Sequence, residues 1–128
     1  MQKFSHYAPV VLRIGISLVF LWFGIMQILD QNMWTSLIPK WLISLSGLSA
    51  VTIVLTNGIA EVILGIMLAI GIKVRIVAIL LSLHLLSIIM ELGISAIGVR
   101  DIGLFFATTS IALNGPDMFS FEYKKQIN

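Results

Sequence analysis

Two ionisable residues sit deep inside long apolar runs, Glu61 in NGIAEVILGIMLAIG and His84 in KVRIVAILLSLHLLSIIME. A carboxylate and an imidazole can together hold, share or pass one proton. The runs flank a tight basic turn, Gly71-Ile72-Lys73-Val74-Arg75. Counted outward from that turn, at about 1.5 Å per helical residue, Glu61 and His84 reach nearly the same depth. An antiparallel hairpin therefore lets them touch if their faces turn together. Asn57 lies one helical turn before Glu61 and presents to the same partner. Arg13, Ser17, Phe20, Gly24 and Gln27 fall on one stripe of the first apolar run. Asp101 shares a stripe with Leu104, Thr108 and Ala112, with Arg100 beside it, and Glu91 ends the third run. Because adjacent helical residues point about 100° apart, Arg100 and Asp101 need not pair with each other.

Charged groups in hydrocarbon are costly and generally mark function. Counted together, the arginines Arg13 and Arg100 and the carboxylates Glu61, Glu91 and Asp101 sum to −1. One proton, on His84 or a carboxylate, would balance the set, which points to proton-linked or anion-linked work. Blander readings exist for each residue. Arg13 can snorkel to the headgroups. Glu61 can simply tie two helices together, and His84 can bond a helix carbonyl or serine. Glu91, Arg100 and Asp101 can form an interfacial network solvated by water.

Four apolar segments must position these residues, at about 8–29, 49–70, 74–92 and 96–113. Each is near the roughly 20 residues that span a bilayer. Of 128 residues, 59% are hydrophobic and only 11% are charged, against about a quarter charged in soluble domains. That leaves too little polar surface for a water-soluble fold. The expected fold class is all-α, an integral membrane four-helix bundle forming a single domain over residues 1–128. Ser5 is the expected N-cap of the first helix, with Pro9 in its first turn. Gly71 and Asn114-Gly115-Pro116 are stops. Gly65 and Ala69 make a small-xxx-small pair for close packing.

Residues 31–48 are too polar to span and too apolar for a free loop. Trp34 and Trp41 suit the headgroup level. The segment reads as an interfacial or re-entrant cap on the bundle, or as a loop with two anchors. DMFSFEYKKQIN reads as a polar tail. No small-residue cleavage site follows the first run, so it reads as a retained helix. Lys3, Arg13, Lys73, Arg75, Lys124 and Lys125 share one side of the four-helix topology, and Lys40 and Arg100 the other. That bias places both termini in the cytoplasm, and the expected location is the plasma (inner) membrane of a prokaryote.

Other chemistries have no residues to carry them. Cysteine is absent, which removes thiol redox work and iron–sulfur ligation. A bis-histidine haem lacks its second ligand, since His6 precedes the first helix. No Glu-x-x-His pair supports a di-metal site, and the spacing supports no zinc site. The basic residues cluster at helix ends, which fits membrane orientation and not nucleic-acid binding.

The polar pattern resembles one known family. It reads R-x-G-x-x-x-x-F-x-x-x-G at Arg13, Gly15, Phe20 and Gly24. It continues as N-G-x-x-E-x-x-x-G-x-x-L-x-x-G from Asn57 to Gly71, then Arg75, then R-D-x-G-L from Arg100 to Leu104. This resembles the DoxX family of small four-helix membrane proteins. The resemblance implies a bundle whose Arg13, Glu61, Arg100 and Asp101 face a central pocket. It also implies a link to redox work, since relatives include thiosulfate:quinone oxidoreductase subunits and a membrane-associated oxidoreductase complex.

The leading expectation is therefore a redox-associated subunit with an intramembrane pocket for a small polar or quinone-like molecule. A quinone is the candidate cofactor. Lipid, a redox partner protein and a second copy of the chain are the candidate partners. The alternatives are a small proton or solute transport subunit, and a structural or assembly partner without chemistry. A cavity opening sideways to lipid, with apolar walls beside Arg13 and Glu61, would favour quinone binding. A polar path to the cytoplasmic face would favour transport. A network without a cavity would favour structure alone.

Overall fold

A computed structural model of the chain describes residues 2–127, with the side chains of residues 2, 3, 126 and 127 (Lys3 among them) outside the described part. Four long helices dominate: α2 (Ala8–Leu29), α4 (Ala50–Ile70), α5 (Val74–Leu92) and α6 (Ala96–Asn114). Short helices α1 (Gln2–Ser5), α3 (Lys40–Ser46) and α7 (Phe121–Ile127) join or extend them. All four long helices are long and apolar enough to cross a membrane. Their outward faces carry residues such as Val11, Leu18, Trp22, Ile63, Leu83 and Phe106, all well exposed. An apolar exterior is what lipid demands, and intrahelical bonding is how the backbone satisfies itself there.

The bundle is built from two close pairs. α2 lies along α4 and α5 lies along α6, while α4 packs more loosely on α5 although a short turn joins them. The α2–α4 contact depends on two glycines. A Cβ on Gly24 would stand 2.9 Å from the Gly58 carbonyl oxygen, and one on Gly58 would stand 2.9 Å from the Gly24 carbonyl oxygen. Close backbone approach through small residues is the usual means of association in lipid. The expected Gly65–Ala69 pair is not the closest approach; Gly65 instead receives the Leu21 side chain.

The two ends of the bundle differ. Towards the Gly71–Val74 turn the interior is packed solid with Leu68, Val74, Val77, Ala78, Leu81, Ile111 and Ala112. Towards the opposite end the pairs part, and residues 31–48 fold over the gap. That segment forms two 3-10 turns, Gln31–Met33 and Thr35–Leu37, followed by α3. Pro39 starts α3 and Gly47, at φ 72°, ends it.

Two local expectations need correction. Ser5 does not cap α2; it closes α1, and Tyr7 stands at the α2 N-cap without a side-chain hydrogen bond. Pro9 does occupy the first turn of α2, where its missing N–H costs nothing. The polar tail is also not a free extension. Ser120 is fully buried and sits against Gly71, whose φ of 89° and lack of Cβ admit it. Glu122 accepts the Val74 N–H at 2.9 Å. This satisfies one of the donors that a helix start leaves open, where an anion is favoured.

Gly58→Val should therefore push α2 from α4 and cost about 1–3 kcal/mol, the usual range for overpacking. Gly103→Ala, where an added Cβ meets nothing within 4 Å, should leave stability equal or slightly higher. Thermal unfolding in detergent micelles compares the two; equal melting temperatures would count against the glycine contact.

Candidate functional site

Glu61 lies near the middle of α4 and is only 6% exposed. Three neighbours converge on its carboxylate. Gln27 Nε2 donates to Oε2 at 2.9 Å. Asn57 Nδ2 donates to Oε1 at 3.2 Å. His84 Nε2 lies 2.8 Å from Oε1. Gln27 belongs to the first helix pair, with Asn57 and Glu61, whereas His84 belongs to the second. The His84–Glu61 contact thus bridges the loosely packed seam.

The amide orientations follow from the acceptors around them. Gln27 Nε2 also donates to the Phe23 carbonyl oxygen at 3.2 Å, so both of its contacts are acceptors. Its Oε1 therefore faces Asn57, whose Nδ2 donates to it at 2.8 Å. Both amide groups spend their two N–H bonds inside the network. Neutral donors around a carboxylate are how a protein holds one away from water.

A cavity of about 310 Å³ opens above this network, towards the α3 end. Its size is at the lower end of small-molecule sites, about 300–1,000 Å³. The floor is Gln27, Asn57, Glu61 and His84; the walls include Phe20, Leu85, Ile88 and Leu104. Phe23, Trp34 and Trp41 supply aromatic surface. The His84 side chain is 26% exposed, in contrast to its carboxylate partner.

Arg100, Asp101 and Glu91 line the upper part. Arg100 donates from Nε and Nη2 to Asp101 Oδ1 at 3.2 and 3.1 Å. The pairing left open by their adjacency is thus made, because the long guanidinium side chain turns back along α6. Asp101 is buried, whereas the Arg100 side chain is 48% exposed. The guanidinium stands 4.8 Å from the Phe23 ring centroid, within cation–π range. Phe23 meets Trp34 edge-on at 5.7 Å. Trp41 Nε1 donates to Glu91 Oε2 at 3.3 Å, tying α3 to the end of α5.

Arg13 is elsewhere. It lies at the solid end of the bundle, is 2% exposed, and does not line this cavity. Its Nε donates to Asp117 Oδ2 at 2.5 Å and its Nη2 to Asp117 Oδ1 at 3.3 Å. Nη1 donates to the Leu68 and Ala69 carbonyls at 2.9 and 2.5 Å. Those carbonyls belong to the last turn of α4, where the helix has no internal donors for them. Arg75 does the same for α6, donating to the Ala112 carbonyl at 3.1 Å. The site therefore gathers Gln27, Asn57, Glu61, His84, Glu91, Arg100 and Asp101, and separates Arg13 from them.

Asp117 is the residue that reading the sequence misses, together with the cavity surface of Phe23. Asp117 follows Asn114-Gly115-Pro116, so it reads as tail. The available signal is that a buried arginine needs an anion, and Asp117 is the first carboxylate beyond α6 at that end. It also accepts the Phe119 N–H at 3.0 Å, shaping the turn into α7.

The geometry is that of a membrane helical bundle with an enclosed polar floor beneath an aromatic-walled cavity. A family model described as DoxX matches residues 8–96, and the chain belongs to the DoxX family. No curated protein and no solved structure matches it.

Removing one partner of a buried ion pair commonly costs about 3–5 kcal/mol. Asp117→Ala should therefore destabilise the protein by about 3 kcal/mol, and α7 should become protease-sensitive. The double variant Arg13→Leu/Asp117→Leu should recover part of that loss, because no charge is then stranded. Melting temperatures in micelles and limited proteolysis read both effects; a silent Asp117→Ala would dismiss the pair as a clamp.

Proposed function

We propose that this protein is a redox-associated membrane subunit that binds a small, ring-shaped, hydrogen-bonding molecule of the quinone type in the cavity above Glu61. The observation that carries the reading is the cavity itself. A purely structural network would close around its charges, whereas here Glu61 and His84 floor about 310 Å³ of open space. Aromatic and aliphatic walls with a few convergent polar groups are the usual make-up of a small-molecule site. The link to redox work comes with the family resemblance.

Transport is the less supported reading. Below Glu61 the interior is filled by Leu68, Val77, Ala78 and Leu81, each at most 1% exposed. The Arg13–Asp117 clamp then closes the end. With Arg13 outside the cavity, Arg100 is the cationic side chain that lines it.

The orientation that goes with this reading puts the clamp and α7 in the cytoplasm and the cavity in the outer half of a prokaryotic plasma membrane. Lys73, Arg75, Lys124 and Lys125 at the clamp end support it. An impermeant thiol reagent should fail to label Lys124→Cys in intact cells and label it after lysis.

Binding is tested on the Trp22→Phe protein, which removes the lipid-facing tryptophan and leaves Trp34 and Trp41 at the cavity. A short-chain quinone or hydroquinone should quench their fluorescence saturably, and Ile88→Trp, with signal read by calorimetry instead, should abolish binding by filling the wall. Quenching that only tracks partition into the micelle, unchanged by the filled wall, would reject the reading.

A further inference from the structure

The cavity has an imbalance of hydrogen-bonding groups. Every amide N–H at its floor is spent. Gln27 Nε2 gives both hydrogens to Phe23 and Glu61, and Asn57 Nδ2 gives both to Gln27 and Glu61. The Ser87 hydroxyl donates to the His84 carbonyl at 2.6 Å, and Trp41 donates to Glu91. Trp34 Nε1 has no partner but is sealed from the accessible surface. Among the described side chains lining the cavity, only the remaining edge of the Arg100 guanidinium is an open donor.

Acceptors are left over instead. Asn57 Oδ1, Glu91 Oε1 and Asp101 Oδ2 have no partner among the described residues. Asn57 Oδ1 and Asp101 Oδ2 are not sealed, Glu91 is an exposed residue, and all three belong to residues lining the cavity.

His84 joins this set through its tautomer. Glu61 takes donors on both oxygens, from Gln27 and Asn57, and a carboxylate in that role accepts from His84 as well. His84 Nε2 then carries the hydrogen. In the neutral ring the other nitrogen, Nδ1, is a bare acceptor. It too lacks a partner and is unsealed. Glu61 thus acts as a positioning residue: it selects which nitrogen of His84 the ligand meets.

We infer that the cavity selects ring compounds that bring hydrogen-bond donors, a phenol or hydroquinone, over carbonyl compounds of the same shape, with His84 Nδ1 receiving the ligand hydroxyl. This rests on the reading of the cavity as a small-molecule site. A quinone carbonyl offers no hydrogen to Asn57, Asp101 or His84 and can meet only Arg100. A hydroquinone fills the acceptors at one end and can still accept from Arg100 at the other. The selection concerns binding alone and requires no electron transfer.

The test uses an isosteric pair, tert-butylhydroquinone and tert-butylbenzoquinone, titrated calorimetrically into the full chain in micelles. The chain has no cysteine for the quinone to alkylate. The hydroquinone should bind at least tenfold more tightly, and His84→Phe should reduce that preference severalfold. Equal affinities, or a preference for the quinone, overturn the selection while leaving the cavity a binding site. Binding of neither compound removes the binding reading and this inference with it. A second measurement does not depend on ligand or on the His84 variant. In the His6→Gln protein labelled with ¹⁵N-histidine, the one remaining ring should show a protonated Nε2 and a bare Nδ1. The opposite tautomer overturns the inference directly.

Discussion

A carboxylate in the middle of an apolar helix needs donors, and most of this structure is arranged to bring them to Glu61. An ionised carboxylate left without hydrogen-bond donors at that depth is costly. The α2–α4 pair supplies two amides, from Gln27 and Asn57, because Gly24 and Gly58 let the two backbones close to contact. The α5–α6 pair supplies the imidazole of His84. Glu61 is therefore where the two halves of the bundle meet through polar contact, and its floor position follows from that.

The bundle divides into a solid half and a hollow half. In the solid half, polar residues serve helix ends: Arg13 and Arg75 cover last-turn carbonyls, and Glu122 covers a first-turn amide. These contacts do in lipid what water does for exposed helix ends in a soluble protein. In the hollow half, the helices separate and residues 31–48 roof the gap, with Trp41 held to Glu91.

The sequence makes some of this legible for definite reasons. Helical periodicity places Arg13, Ser17, Phe20, Gly24 and Gln27 on one stripe, and all five are buried in α2. The depth count from the basic turn places Glu61 level with His84, and they touch. What periodicity cannot supply is the pairing of helices. The short basic turn makes α4–α5 read as an antiparallel hairpin, and in the structure that pair is the looser seam. The family resemblance, in turn, puts Arg13 in the Glu61 pocket, where the structure does not have it. Its true partner, Asp117, comes from a tail whose docking depends on a glycine turn and on three-dimensional closure. The Arg100–Asp101 pairing is likewise a matter of rotamer, which spacing does not fix.

Glu61 and His84 couple the two helix pairs across the seam. A double-mutant cycle with Glu61→Ala and His84→Ala, read by unfolding in micelles, measures that coupling directly. Residues in one hydrogen-bonded network typically couple by about 0.5–3 kcal/mol, and the structure predicts at least about 1 kcal/mol here. Additive losses, with coupling below about 0.3 kcal/mol, would contradict it.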